Sequence, residues 1–87
     1  MIPSELLAKT GWIKARLAID KYGICVSPKS SDAVAFCLVG ACRRCDSDTT
    51  KLKAIIKARG FLSVADFNDR PNTKHADVLS VLKEAGL

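Results

Sequence analysis

Apolar residues recur along this chain at the spacing of α-helices, with polar residues between them. In the first segment the apolar positions at this spacing are Leu6, Leu7, Trp12 or Ile13, and Leu17. Pro3 and Ser4 are typical of a helix start, and Gly23 is typical of a residue that ends one. We therefore expect a first helix over about residues 3–20.

The next apolar segment predicts a helix that is buried on most of its surface. Residues 24–26 are apolar but too few to found a sheet, and residues 27–30 are turn-forming, so we expect a connecting loop that could include a short extended segment. Ser31 is a favoured N-cap residue, so we expect the second helix over about residues 32–44. Its apolar positions lie on neighbouring strips, and Gly40 would let another helix approach closely.

Three shorter helices are predicted in the second half of the chain, over about residues 48–59, 63–68 and 74–85. Gly60 and Gly86 follow two of them, where a left-handed C-terminal cap is expected. Ser63 and Thr73 stand at positions where N-cap residues are favoured. Pro71 predicts a break between the last two helices.

Length and composition fit one small helical domain. A chain of 87 residues, 48% of them hydrophobic, can fill one core but not two. The pattern predicts an all-α fold, a single compact domain of about five short helices over residues 1–87. No apolar run reaches the roughly 18 residues of a membrane span, and the first residues lack a signal-peptide pattern, so we expect a cytoplasmic protein.

The net charge favours an acidic partner. Lys and Arg outnumber Asp and Glu by 14 to 9, which gives a formal charge of +5. A partner would be an acidic protein surface or a nucleoprotein complex, although a dispersed basic exterior is also typical of an ordinary solvated surface. The basic residues with the highest local density are the predicted partner-binding residues: Arg43, Arg44, Lys51, Lys53, Lys57 and Arg59.

The cysteines offer one candidate metal site. Cys25, Cys37, Cys42 and Cys45 supply four thiols, enough for a tetrahedral zinc ion. Structural zinc sites usually pair two ligand units on tight turns, whereas here one CxxC ends a predicted helix. Small apolar core residues with free thiols are therefore the favoured interpretation, and no cofactor is expected.

Two further hypotheses are an enzyme and a DNA-binding protein. Cys37, Asp69 and His75 could form a nucleophilic arrangement, but Asn68 and Asp69 before a proline are ordinary residues of a helix end. In the last helix, acidic residues interrupt the basic face that would enter a DNA groove, which argues against direct duplex binding.

Several motifs resemble those of a family of small bacterial and phage proteins of unknown function. They are Gly11-Trp12, Asp20 with Tyr22-Gly23, Ser27-Pro28, residues 31–41 with Phe36-Cys37 and Gly40-Ala41, residues 63–71 with Phe67-Asn68-Asp69 and Pro71, Thr73, and Val78-Leu79. Phe36 and Phe67 stand where the family usually has Trp. The resemblance implies a compact helical domain in which residues 36–41 pack against residues 67–69. It carries no established activity, and it includes Cys37 but not the CxxC pair, which argues against zinc.

The sequence thus predicts a small non-enzymatic binding protein that acts stoichiometrically on a host protein or nucleoprotein complex. The resemblance to phage proteins implies a phage or mobile-element origin, with inhibition of a host defence system such as CRISPR–Cas as one example. A zinc- or nucleic-acid-binding regulator and a small enzyme remain as alternatives.

Overall fold

Five α-helices and a small three-stranded sheet form the fold in the computed structural model, which describes residues 1–87. The helices are α1 (Pro3–Lys9), α2 (Leu38–Arg44), α3 (Thr50–Ala58), α4 (Val64–Asp69) and α5 (His75–Glu84). The strands are β1 (Gly11–Trp12), β2 (Ala18–Ile19) and β3 (Ala35–Phe36). The number of helices is as predicted, but the all-α fold class is wrong, because the sheet makes this a small α+β domain.

Strand β3 lies at the centre of the sheet. It runs parallel to β1, with Trp12 opposite Phe36, and antiparallel to β2, with Ala18 opposite Phe36. Each strand has only two residues, which is too short for the alternating pattern that marks a strand in a sequence. The sequence therefore shows no alternating hydrophobic pattern that would predict the sheet.

The first helix ends at Lys9, far short of the predicted residue 20. Residues 11–13 find their hydrogen-bond partners outside a helix: the Gly11 amide donates to the Val34 carbonyl at 3.3 Å and the Ile13 amide to the Phe36 carbonyl at 3.1 Å. Ala15 has a φ of +65°, which a right-handed helix excludes. Tertiary pairing with β3 therefore overrides the helical spacing of the apolar residues.

The second helix begins at Leu38 rather than near residue 32. Residues 35–36 are extended because they pair with strands on both sides. The cap is Cys37 rather than Ser31, since the Cys37 Sγ accepts a hydrogen bond from the Gly40 amide at 3.2 Å. The expected burial is confirmed, with Leu38, Gly40, Ala41 and Cys42 all buried.

Gly40 allows a close approach, but to a loop and not to a helix. A Cβ atom at this position would lie 1.9 Å from the Leu17 carbonyl oxygen. The loop of residues 13–17 therefore rests directly on the backbone of α2.

The last three helices agree with prediction to within one or two residues. Gly60 and Gly86 follow α3 and α5 with φ of +90° and +77°, as expected of left-handed caps. Ser63 caps α4, because its side chain accepts from the Asp66 amide at 3.0 Å. The prediction for Thr73 is wrong: Lys74 occupies the N-cap position of α5, and the buried Thr73 hydroxyl donates to the Phe67 carbonyl at 2.7 Å.

One hydrophobic core joins all five helices and β2 and β3. Its largest fully buried side chains include Leu7, Phe36, Leu38, Leu52, Ile56, Leu82, Val78 and Val81. None of the helices has both the length and the apolar character that a membrane crossing requires.

Candidate binding groove

Asn68 connects three separate parts of the chain. Its Oδ1 accepts hydrogen bonds from Trp12 Nε1 at 2.6 Å and from the Leu38 amide at 3.0 Å. Its Nδ2 donates to the Ile13 carbonyl at 3.1 Å. The side chain is almost wholly buried, so these bonds satisfy a polar group that water does not reach. The expected packing of residues 36–41 against residues 67–69 is confirmed.

Asp69 extends this network to the loop of residues 13–17. Its Oδ1 accepts from the Ala15 amide and from Asn68 Nδ2, both at 2.9 Å. These bonds hold Ala15 in its left-handed conformation. Asn68 and Asp69 thus serve the fold through hydrogen bonds to distant segments, and not as the ordinary helix-end residues that were predicted.

His75 lies apart from the other two residues of the enzyme hypothesis. Its Nε2 is 2.8 Å from the Leu7 carbonyl oxygen, and its ring stacks on Trp12 with 6.0 Å between ring centroids. A carbonyl oxygen only accepts, so Nε2 carries a proton. Cys37 and Asp69 line one cavity, but His75 does not line it, so the structure brings together two of the three predicted residues.

Cys37 is also poorly suited to act as a nucleophile. Burial raises the pKa of its thiol, although the hydrogen bond from the Gly40 amide acts in the opposite direction. A thiol with a raised pKa holds little of the reactive thiolate at neutral pH.

All four cysteines are free in the structure. Cys37 and Cys42 are buried, Cys45 is half-buried and Cys25 is exposed. Burial, with the neighbouring Cys45 and Cys37 thiols, raises the pKa of Cys42 to about 12. No three His, Cys, Asp or Glu side chains lie close enough together to hold a metal ion. The buried pair fills core volume, as expected of small apolar side chains.

The six predicted partner-binding residues divide into three groups. Arg44 is used within the fold, since its Nη1 donates to the Pro28 and Ser30 carbonyls at 3.0 and 2.7 Å. Arg59 pairs with Glu84 at 2.5 Å. Lys51 is exposed on α3 and stands apart from the other three, which line a groove: Arg43, Lys53 and Lys57.

This groove, which we call the Val39 groove, runs between α2, α3 and α4. It consists of three neighbouring surface cavities of about 740, 590 and 300 Å³ that share Val39 in their linings, and we call them its outer, middle and inner parts in that order. The outer part reaches the loop of residues 27–29, the middle part lies between α3 and α4, and the inner part reaches the loop of residues 13–17.

The charged side chains of the Val39 groove are mostly basic. They are Arg16, Lys29, Arg43, Lys53 and Lys57, with Asp46 and Asp69. Both carboxylates have partners in the fold, because Asp46 pairs with Lys29 at 2.5 Å and Asp69 accepts two hydrogen bonds. Arg43, Lys53 and Lys57 form no ion pair. The charges of these three side chains are therefore not paired with a carboxylate within the fold.

Apolar side chains lie between these cations. Val39 and Val64 line both larger parts, and Leu62, at 83% exposure, lines the middle part with Ala54 and Ala65. No aromatic residue lines the groove. The sequence indicated the cations through their density on α3, but it missed Arg16, Val39 and Leu62. Only the fold brings these three, from separate segments, to one surface.

The chain thus folds into a small α+β domain with a groove whose charged side chains are mostly basic. The model of DUF6197, a family of unknown function, matches residues 4–86, and the chain belongs to that family. This confirms the resemblance to a family of unknown function. No curated protein and no solved structure matches the chain.

Proposed function

We propose that this protein is a small non-enzymatic binding protein that holds an acidic segment of a partner protein in the Val39 groove. The observation that carries the proposal is the set of three cations without carboxylate partners, Arg43, Lys53 and Lys57, around an apolar floor. Complementary charge steers such a partner to the groove, and the apolar floor contributes contact area.

A protein partner fits the groove better than nucleic acid. Single strands are held by aromatic side chains on which bases stack, and the groove has none. The most exposed aromatic residue, Tyr22 at 75%, lies outside the groove. The floor of Val39, Leu62 and Val64 would instead suit apolar side chains of a polypeptide.

The partner we propose is a protein of the host cell, and the protein described here would come from a phage or mobile element that enters that cell. A host defence complex such as CRISPR–Cas is one candidate, and its support is the resemblance of the motifs to phage proteins. The protein would act in the cytoplasm, where its free thiols stay reduced. To inhibit a host complex, one molecule of the protein would cover a surface of that complex. This needs only a stable binding surface, which a domain of this size supplies.

Affinity capture from a nuclease-treated host lysate tests the proposal. The tagged wild type should retain a partner that a K53E/K57E variant loses, because two attractive charges become repulsive. A K51E variant is the matched control: it changes an exposed lysine on the same helix, outside the groove, and should retain the partner. Loss of the partner on nuclease treatment, or equal capture by the K53E/K57E variant, would contradict the proposal.

A further inference from the structure

The middle part of the Val39 groove has features that specify the shape of its occupant. We infer that the occupant is an amphipathic acidic helix, with a row of carboxylates beside a row of apolar side chains. This inference rests on the proposed function, because it assumes that the groove binds an acidic polypeptide. Its evidence is the placement of the lysines and apolar residues on α3, α2 and the start of α4.

The two lysines of α3 set the spacing of the carboxylates. Lys53 and Lys57 lie four residues apart on one helix, about 6 Å along its axis. Both line the middle part of the groove, with Ala54 beside them. Carboxylates one helical turn apart on a partner helix have the same separation. A partner helix lying along α3 can therefore pair two acidic residues with these two lysines.

Three of the apolar residues lining this part come from elements other than the helix that carries the lysines. Val39 comes from α2, Leu62 comes from the turn before α4, and Val64 is the first residue of α4. A partner helix presents neighbouring rows at i, i+4 and i+3, i+7 spacing, so one row meets the lysines while the next meets these apolar residues. An extended segment turns alternate side chains to opposite faces and would point one of the two rows away.

The groove also lacks the feature that an extended partner needs. Addition of a strand requires the free edge of a sheet, and the residues lining the middle part belong to α2, α3, α4 and the turn before α4. No residue of β1, β2 or β3 lines it. Helix-in-groove packing, in contrast, needs only a groove between helices, and helices supply most of this lining.

Synthetic peptides of about 15 residues test the inference, because helices of this length are marginal in water and gain structure on binding. The probe carries Glu at i, i+4 positions beside a row of Leu. A second, permuted peptide has the same composition, but its Glu and Leu residues form no rows when the peptide is helical. Binding is measured by fluorescence anisotropy and helix content by far-UV circular dichroism.

The ordered peptide should bind at least about tenfold more tightly than the permuted one and gain helix content on binding. An L62S variant should weaken binding of the ordered peptide about fivefold, and an I24S variant should leave it unchanged. Ile24 is the matched control because it is also exposed, at 62%, but lies outside the groove. Thermal unfolding of each variant checks that the fold is intact.

Two results would overturn the inference. Equal affinity for the ordered and permuted peptides would show that the groove selects charge but not helical order, which leaves the proposed function standing. The absence of binding by either peptide would reject the acidic helix as occupant, while partner capture by wild type but not by K53E/K57E would still support the proposed function. Failure of that capture experiment would remove both.

Discussion

At the scale of single residues, Asn68 accounts for much of the geometry around the groove. One buried amide fixes the Trp12 ring, the first amide of α2 and the loop that follows β1. The loop in turn rests on Gly40. The inner wall of the groove is therefore set by hydrogen bonds between residues about 30 to 56 positions apart in the chain.

Replacement of Asn68 should be strongly destabilising. In an N68A variant the Trp12 indole and the Leu38 amide lose their acceptor, and each buried unpaired donor costs about 1–3 kcal/mol. We expect a loss of roughly 3 kcal/mol in the free energy of unfolding, measured by urea denaturation. An N72A variant is the control, since Asn72 is exposed, and it should change stability by less than about 0.5 kcal/mol. Similar stabilities of the two variants would disprove this role for Asn68.

The cysteines should differ widely in reactivity. Burial raises the pKa of the Cys37 thiol and raises that of Cys42 to about 12, so both stay protonated at pH values near 8. Alkylation of the native protein with iodoacetamide, followed by mass spectrometry, should therefore modify the exposed Cys25 first. The same reaction in denaturant should modify all four. Native labelling of Cys42 as rapid as that of Cys25 would contradict this order of reactivity.

At the scale of elements, the sequence was informative where a helix is stabilised by its own face and caps. The boundaries of α3, α4 and α5 follow from local signals such as Gly60 and Ser63. The boundaries of α1 and α2 do not, because β1 and β3 pair residues that are 24 positions apart. A two-residue strand has no period of its own, so pairing of this kind is invisible without the fold.

The contact between α2 and the loop of residues 13–17 can be tested with a G40A variant, because helix propensity and the loop contact predict opposite changes in stability. Alanine favours a helix interior over glycine by about 1 kcal/mol, so helix propensity alone predicts that G40A stabilises. The structure predicts the opposite, because the new Cβ would meet the Leu17 carbonyl oxygen at 1.9 Å. We expect a loss of about 3 kcal/mol or more, measured by thermal and urea unfolding.

A G60A variant serves as the comparison for G40A. Gly60 has a φ of +90° and open space around a new Cβ, so only backbone strain of about 1 kcal/mol is expected. A G40A protein as stable as the wild type would mean that the loop does not rest on α2.

At the scale of the whole molecule, the candidate site was only partly predictable. The local density of basic residues drew attention to Lys53 and Lys57, and the structure shows that both line the groove. That density gave no reason to separate them from Arg44 and Arg59, whose partners at Pro28 and Glu84 are set by tertiary structure. The apolar lining of the groove could not be predicted from the sequence either, because Val39 and Leu62 come together only when α2 and α4 pack.

The central claim is that the Val39 groove holds the partner, and lysine footprinting of the captured complex tests it most directly. The free protein and the complex are acetylated under identical conditions, and each lysine is quantified by mass spectrometry. The account predicts that Lys53 and Lys57 lose several-fold in reactivity in the complex, while Lys51 and Lys83, exposed outside the groove, react as in the free protein. An intact complex in which Lys53 and Lys57 remain fully reactive would contradict it.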